Sequence, residues 1–254
     1  MDSDSLLWHY TDSAGFHGII SSGIFRFGHA WFLNDRTERT FGKQRVADLI
    51  REEQSRLAET RLMELLHDRW QNRTDTDSDY FVASLSESSD SISQWQRYGG
   101  DGRGYCLGFD RAALMRWLQT PLRLRQMQYR TEGQLKRFRE FLPSSIERSL
   151  QLFTDNPKYR KYTDAQLLEL RVAYLVGVLE EVSLEFKNPR FEDEREWRFI
   201  RRIPDVVGDT PPPISFSPRG EIVKPFIGVS LKKLISKAQQ ASSLLKTRPV
   251  WTSP

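Results

Sequence analysis

The apolar positions of this chain fall into short alternating runs set between longer helical ones. Leu6-Leu7-Trp8-His9-Tyr10-Thr11 reads as a strand in which His9 and Thr11 point to one face. Asp12 or Ser13 then caps a short helix through Ile20, and Gly23 stops it. Phe25-Arg26-Phe27 and Trp31-Phe32-Leu33 read as brief β pieces. A helical segment over Thr40–Trp70 carries Val46, Leu49, Ile50 and Leu57 on one face, then Leu62, Leu65, Leu66 and Trp70 on another. That phase change predicts a break near residue 60.

Tyr80–Leu85 and Gly104–Phe109 read as strands, with a helix between them that carries Trp95 and Tyr98 and ends at Gly99-Gly100. Asp110 caps a further helix through Leu118, and the alternation of Arg123–Arg130 predicts a strand that pairs with the sheet. Residues 131–187 read as helical, interrupted near Asn156-Pro157. Within them, Leu167–Val182 is apolar on nearly every side, as a buried helix is. Glu196–Ile203 and Glu221–Val229 read as strands, Leu231–Leu245 as a helix and Arg248–Thr252 as a last strand. Pro211-Pro212-Pro213 marks a loop or an edge. Mixed strands and helices of this kind predict one α+β domain over 1–254 with a mostly helical insertion at about 131–187.

Composition narrows the class only a little. The 254 residues are 38% hydrophobic and 28% charged, and 7 Trp and 15 Phe supply bulky core material. The basic excess is local: Thr120–Val172 holds eleven Lys/Arg against six Asp/Glu, and Arg219–Arg248 seven against one. Such zones suit nucleic acid as a possible partner, with solvated surface as the commoner reading. The single Cys106 excludes an internal disulfide and reads as a buried thiol in a reducing compartment. Asp2-Ser3-Asp4 opens no secretory signal, and the longest apolar run, Val172–Leu179, is too short to span a membrane. A cytoplasmic protein with no membrane partner is the expectation.

Three blocks carry candidate chemistry. The first is the His9-x-Thr11 strand end, where a histidine can hydrogen-bond a ribose hydroxyl. The second is Glu192–Phe199; a strand there puts Glu194, Glu196 and Arg198 on one face, towards a cleft or solvent, and Trp197 and Phe199 on the other. The third is Ser84-Leu85-Ser86 with Trp95 and Tyr98 behind it, where the serines can brace a carboxylate or a ribose. The glycines after Tyr98 lack the Gly-Lys-Ser/Thr of a phosphate loop. His9, His17, His29 and His67 show no metal-ligand spacing, so no metal is expected. Each block also has a bland reading: core histidine, solvated charge run, core aromatics.

Taken in order, LLWHYTDSAGFHGIISSGIF, WFLND, VASLSE, SQWQRYG, GYCLGFD and EREWRFI resemble a bacterial family of domains of unknown function with HYT, SFS, SQWxxY, GxxLGF and ExEWR blocks. The resemblance spans residues 6–203 and is loose over the last 50. Ser84-Leu85-Ser86 departs from the family in lacking the aromatic between its serines. The opening block also resembles poly-ADP-ribose polymerases and the tRNA 2′-phosphotransferases, which share the ADP-ribosyltransferase fold. That resemblance implies a split mixed sheet around a cleft for NAD, the substrate. His9 would then bind the adenosine-side ribose, the Tyr10 backbone the nicotinamide amide, and Thr11 a ribose. Glu196, with Glu194 as partner, would stabilise the oxocarbenium ion formed as the nicotinamide–ribose bond breaks. Trp31 and Phe32 stand where those families have an aromatic pair, and Phe41 near their stacking tyrosine.

Two classes of function follow. One is an NAD-dependent ADP-ribosyltransferase or NAD glycohydrolase, with an unspecified acceptor and, by analogy, a defence or toxin-type role. The other is a non-catalytic module that binds a nucleotide or nucleic acid on the same fold.

Overall fold

The computed structural model describes residues 6–33, 37–73, 79–117 and 123–203, and the segments 215–216, 222–223, 226–231 and 246–248. The chain forms two compact units, one of residues 1–34, 79–127 and 190–254, the other of residues 35–78 and 128–189. The second unit therefore takes in residues 35–78 besides the helical segment that the sequence marks at 131–187.

The first unit is built on an antiparallel sheet. Its strands are β1 (Leu6–Thr11), β2 (Ile24–His29), β3 (Asp79–Ser86), β4 (Tyr105–Asp110), β5 (Arg123–Gln126), β6 (Glu196–Ile203), β9 (Phe226–Ser230) and β10 (Lys246–Arg248). A separate hairpin pairs β7 (Ser215–Phe216) with β8 (Ile222–Val223). Strand β6 covers one edge of β3 from Asp79↔Ile203 to Ser86↔Glu196, and β5 lies on its far side. The other edge of β3 is shared. Strand β2 takes Phe81 and Val82, whereas β1 meets β3 only at Trp8↔Ser86. The sheet thus forks at β3 into one arm of β2 and β9 and another of β1, β4 and β10. Every described strand pair in it is antiparallel, so the sheet is split but not mixed.

Register decides which side chains meet, because directly opposed residues share a face. Leu7, Phe81, Ala83, Leu85, Leu107, Phe109, Phe199 and Ile203 pack on one face with Phe25, Phe27 and Ile19. Trp8, Tyr10 and Cys106 pack on the other, against Trp95 and Tyr98. Three short helices serve this sheet: α1 (Ser13–Ser22), α4 (Ile92–Arg97) and α5 (Arg111–Trp117). The segment at 31–33 is not a strand: Ala30–Phe32 closes into a 3₁₀ turn after β2.

The second unit is helical, with α2 (Thr37–Glu53), α3 (Thr60–Asn72), α6 (Thr131–Ser149) and α7 (Asp164–Ser183). The helical run from Thr40 breaks at 54–59, as its phase change predicts. Val46, Leu49, Ile50, Leu62, Leu66, Trp70, Phe138, Leu175 and Leu179 form its core. Gly42 lets α2 approach the end of α7 closely, since a Cβ there would lie 2.0 Å from the Ser183 carbonyl. Thr163 starts α7 with a capping box completed by Gln166. Buried charges here are matched: Arg171 binds both oxygens of Glu59, Lys187 lies 3.0 Å from Glu38, and buried Glu53 accepts two hydrogen bonds from the exposed Arg139. No described helix is long and apolar enough to cross a membrane. The stretches read as a loop at 211–213 and a helix over 232–245 lie outside the described residues, as do 249–252.

Candidate functional site

The fork in the sheet opens onto a cavity of about 390 Å³, within the size range of small-molecule sites. His9, Thr11, Asp12, Ile19, Phe25 and Arg26 line it, together with Gly15 and Gly18 of α1. Local rules build these walls. Asp12 caps α1 by accepting from the Gly15 amide at 2.7 Å. Gly23, at φ 65, closes the helix with its amide bonded to the Ile19 carbonyl. Gly15 leaves room for Thr11, since a Cβ there would sit 2.1 Å from Thr11 Oγ1 and that hydroxyl would have to turn away. Phe16 stacks on Tyr105 at 4.0 Å and seats the helix on the β1–β4 arm.

His9 sits at the fork itself. Its Nδ1 lies 3.0 Å from the Ser84 carbonyl, on the stretch of β3 between the residues paired with β2 and with β1. A carbonyl only accepts, so Nδ1 carries the proton and donates. Burial pushes the imidazole below its ordinary value of 6.5, against the opposing effect of that hydrogen bond, and so favours the neutral ring. Neutral His9 then has Nε2 as an acceptor. Phe25 meets the ring edge-on at 4.6 Å and fixes its plane.

The carboxylates of the late block lie elsewhere. Glu196 is opposite Ser86, which is opposite Trp8, so all three point to the face that His9 does not use. Trp197 packs with the other face, as its alternation requires. Glu196 is buried and takes two hydrogen bonds from Arg198, at 2.6 and 2.9 Å. Glu194 is buried and paired with Arg97. The expectation that these glutamates look into a cleft or solvent is therefore corrected. A side chain at the mouth of β6 has an arginine two residues on, within bidentate reach, and the pair buries together. Arg195, between the glutamates, adopts φ 44, so a left-handed kink rather than continuous strand links them.

Around this second centre the late and middle blocks are stitched together. Ser86 Oγ donates to the Glu194 carbonyl at 2.7 Å and accepts from the Ser88 amide. Ser93 Oγ donates to Asp193 at 2.9 Å. Tyr10 Oη donates to the Ser88 carbonyl and accepts from the Ser91 amide, at 2.8 and 3.0 Å. Burial raises the Tyr10 phenol above its ordinary value, so it stays a neutral donor. Trp95 packs edge-on against Tyr10 at 4.9 Å and donates its indole N–H to Asp90.

The remaining expected site residues are dispersed. Thr11 lines the cavity with His9. Ser84 reaches His9 through its carbonyl, whereas its side chain faces Arg198 across the β3–β6 ladder. Trp31 lies in the 3₁₀ turn after β2. Phe32, in the same turn, packs on His29 at 5.9 Å. Phe41 belongs to the second unit and packs on its helical core. Sequence reading missed Asp12, Phe25 and Arg26 as cavity residues, since only the β1–α1–β2 crossover brings them beside His9. Among the described residues no group of three or more His, Cys, Asp or Glu could hold a metal ion.

Compared with known families, residues 94–199 match the model described as "Protein of unknown function (DUF2971)". The match runs from α4 to β6 and includes Arg97, Glu194, Glu196 and Arg198, while His9 and the serines of β3 lie before it. No curated protein and no solved structure matches the chain.

Proposed function

We propose that this chain is a nucleotide-binding protein of ADP-ribosyltransferase-like architecture, which takes NAD at the fork of its sheet. The observation that carries this reading is the tautomer of His9. Held through Nδ1 by Ser84, the ring lines the cavity and keeps Nε2 as an acceptor suited to a ribose hydroxyl or a carboxamide N–H. Thr11 adds a hydroxyl beside it and Phe25 an aromatic wall.

Catalysis by Glu196 is the weaker reading. Cleavage of the nicotinamide–ribose bond needs negative charge next to the developing cation. Glu196 is on the other face and already bound by Arg198. Asp12, the carboxylate that does line the cavity, is engaged as the α1 cap. One observation favours a transferase or glycohydrolase all the same: Ser86, Glu194 and Glu196 gather at one end of the sheet with Arg97. In that reading the polar centre on this face, not the fork, is where NAD reacts.

The test incubates the protein with adenine-labelled NAD and follows free nicotinamide, labelled products and protection against heat. Binding without nicotinamide release supports the module. Release that Glu196→Gln abolishes overturns it in favour of the enzyme.

A further inference from the structure

Cations of the helical unit are mostly neutralised: Arg137, Arg139, Arg171 and Lys187 each lie within 3.0 Å of a carboxylate oxygen. Lys158-Tyr159-Arg160-Lys161-Tyr162 sits between the end of α6 and the start of α7, and its three cations are exposed. Among the described residues none of these three side chains makes an ion pair with a carboxylate. Asp155 and Asp164 flank the segment without closing on it.

The backbone here follows defined turns. The last turn of α6 widens into a π-helical turn, Leu150–Thr154, a feature frequent at functional sites. Asn156 then caps the 3₁₀ turn Pro157–Tyr159 by accepting from the Lys158 amide at 3.0 Å. Phe153 packs edge-on against Tyr159 at 5.4 Å, and Tyr159 against Tyr162 at 5.5 Å. The two tyrosines are therefore anchored from below, while Tyr162 stays 36% exposed. Lys158 and Lys161 each hold their ammonium within 6 Å of the neighbouring tyrosine ring, at 5.9 and 5.8 Å.

We propose that Lys158–Tyr162 is a docking patch for single-stranded nucleic acid. Exposed cations without a carboxylate partner suit phosphates, and an anchored, exposed aromatic ring suits a base that no longer stacks on a partner strand. A lipid headgroup would use the cations but has no base for Tyr162 to stack on. This patch is independent of the fork cavity, so its fate does not depend on NAD.

The experiment titrates the full chain into a fluorescein-labelled oligothymidylate and reads anisotropy at several salt concentrations. Vesicles of phosphatidylcholine and phosphatidylserine are titrated in parallel. The expected result is saturable oligonucleotide binding that weakens with salt. Changing Lys158, Arg160 and Lys161 together to Gln flattens the log–log salt slope by about 2, since single strands lose about 0.7 per phosphate contact. Tyr162→Ala weakens binding about tenfold and Tyr162→Phe leaves it intact, because stacking needs the ring and not the hydroxyl. Circular dichroism confirms that each exposed-site variant keeps its helix content. Absent binding, binding unchanged in the triple variant, or equal losses in Tyr162→Ala and Tyr162→Phe overturn the proposal. Vesicle binding without oligonucleotide binding overturns it too and assigns the patch to a lipid surface.

Discussion

Glu196 and Arg198 are buried as a two-bonded ion pair on the face of the sheet that His9 does not share. In the core of a protein such a pair is a structural commitment. Removing one partner takes a charge pairing and two hydrogen bonds from a buried ion, at a cost of about 3 kcal/mol.

Glu196→Ala is therefore expected to lower the free energy of unfolding by about 3 kcal/mol, measured by chemical denaturation. Glu196→Ala/Arg198→Met recovers part of that loss, because the buried guanidinium is removed together with its carboxylate. A single variant as stable as the wild type contradicts the assignment of Glu196 to structure.

His9 gives a pH signature. Its imidazole is depressed in the folded state by burial, so the unfolded chain binds more protons over the affected window. That contribution to stability is complete above 6.5 and is lost as pH falls from 6.5 through the lower folded-state value. Wild type is expected to lose stability between pH 7.5 and 5.5 more steeply than His9→Gln does. Parallel pH profiles for the two proteins would place the titration elsewhere.

Lys43 gives a second signature, in the helical unit. Burial, with Arg39 and Arg73 nearby, lowers its ammonium from 10.5 to about 8, while Glu180 opposes the shift. Stability tied to this group is complete above 10.5 and falls as pH drops towards 8, so at pH 7 the charged form is a liability. Lys43→Met is expected to be more stable than wild type at pH 7, by a margin that shrinks towards pH 10. Competitive acylation at pH 8 checks the same point: Lys43 reacts ahead of exposed lysines once its lower nucleophile pKa outweighs its reduced access.

Gly42 tests the helix packing. Its missing Cβ is what allows the approach to the Ser183 carbonyl, and backbone cannot step aside as a side chain does. Gly42→Ala is expected to destabilise by about 1–3 kcal/mol, in the range of overpacked cores, although alanine is the better helix former. An unchanged or raised melting temperature contradicts the contact.

Much of the fold was legible along the chain, because alternation and caps are local signals. Strands β1, β3, β4 and β6, the Asp12 cap, the Gly23 stop and the break between α2 and α3 all follow from such patterns. Alternation also separates Glu196 from Trp197 correctly. It cannot say how strands register with one another, and that is where the candidate site changed. His9 and Glu196 each face the side their own strand dictates, yet only the chain of pairs Trp8↔Ser86↔Glu196 reveals that these sides differ. The division into two units was hidden for a related reason: residues 35–78 join residues 128–189 across the whole of 79–127.

The most direct measurement is the shift in melting temperature on adding NAD to wild type, His9→Gln and Glu196→Gln. Wild type is expected to show a shift, His9→Gln to lose it, and Glu196→Gln to retain it even if that variant melts lower. A shift that survives in His9→Gln and disappears in Glu196→Gln would contradict it and move the site to the opposite face of the sheet.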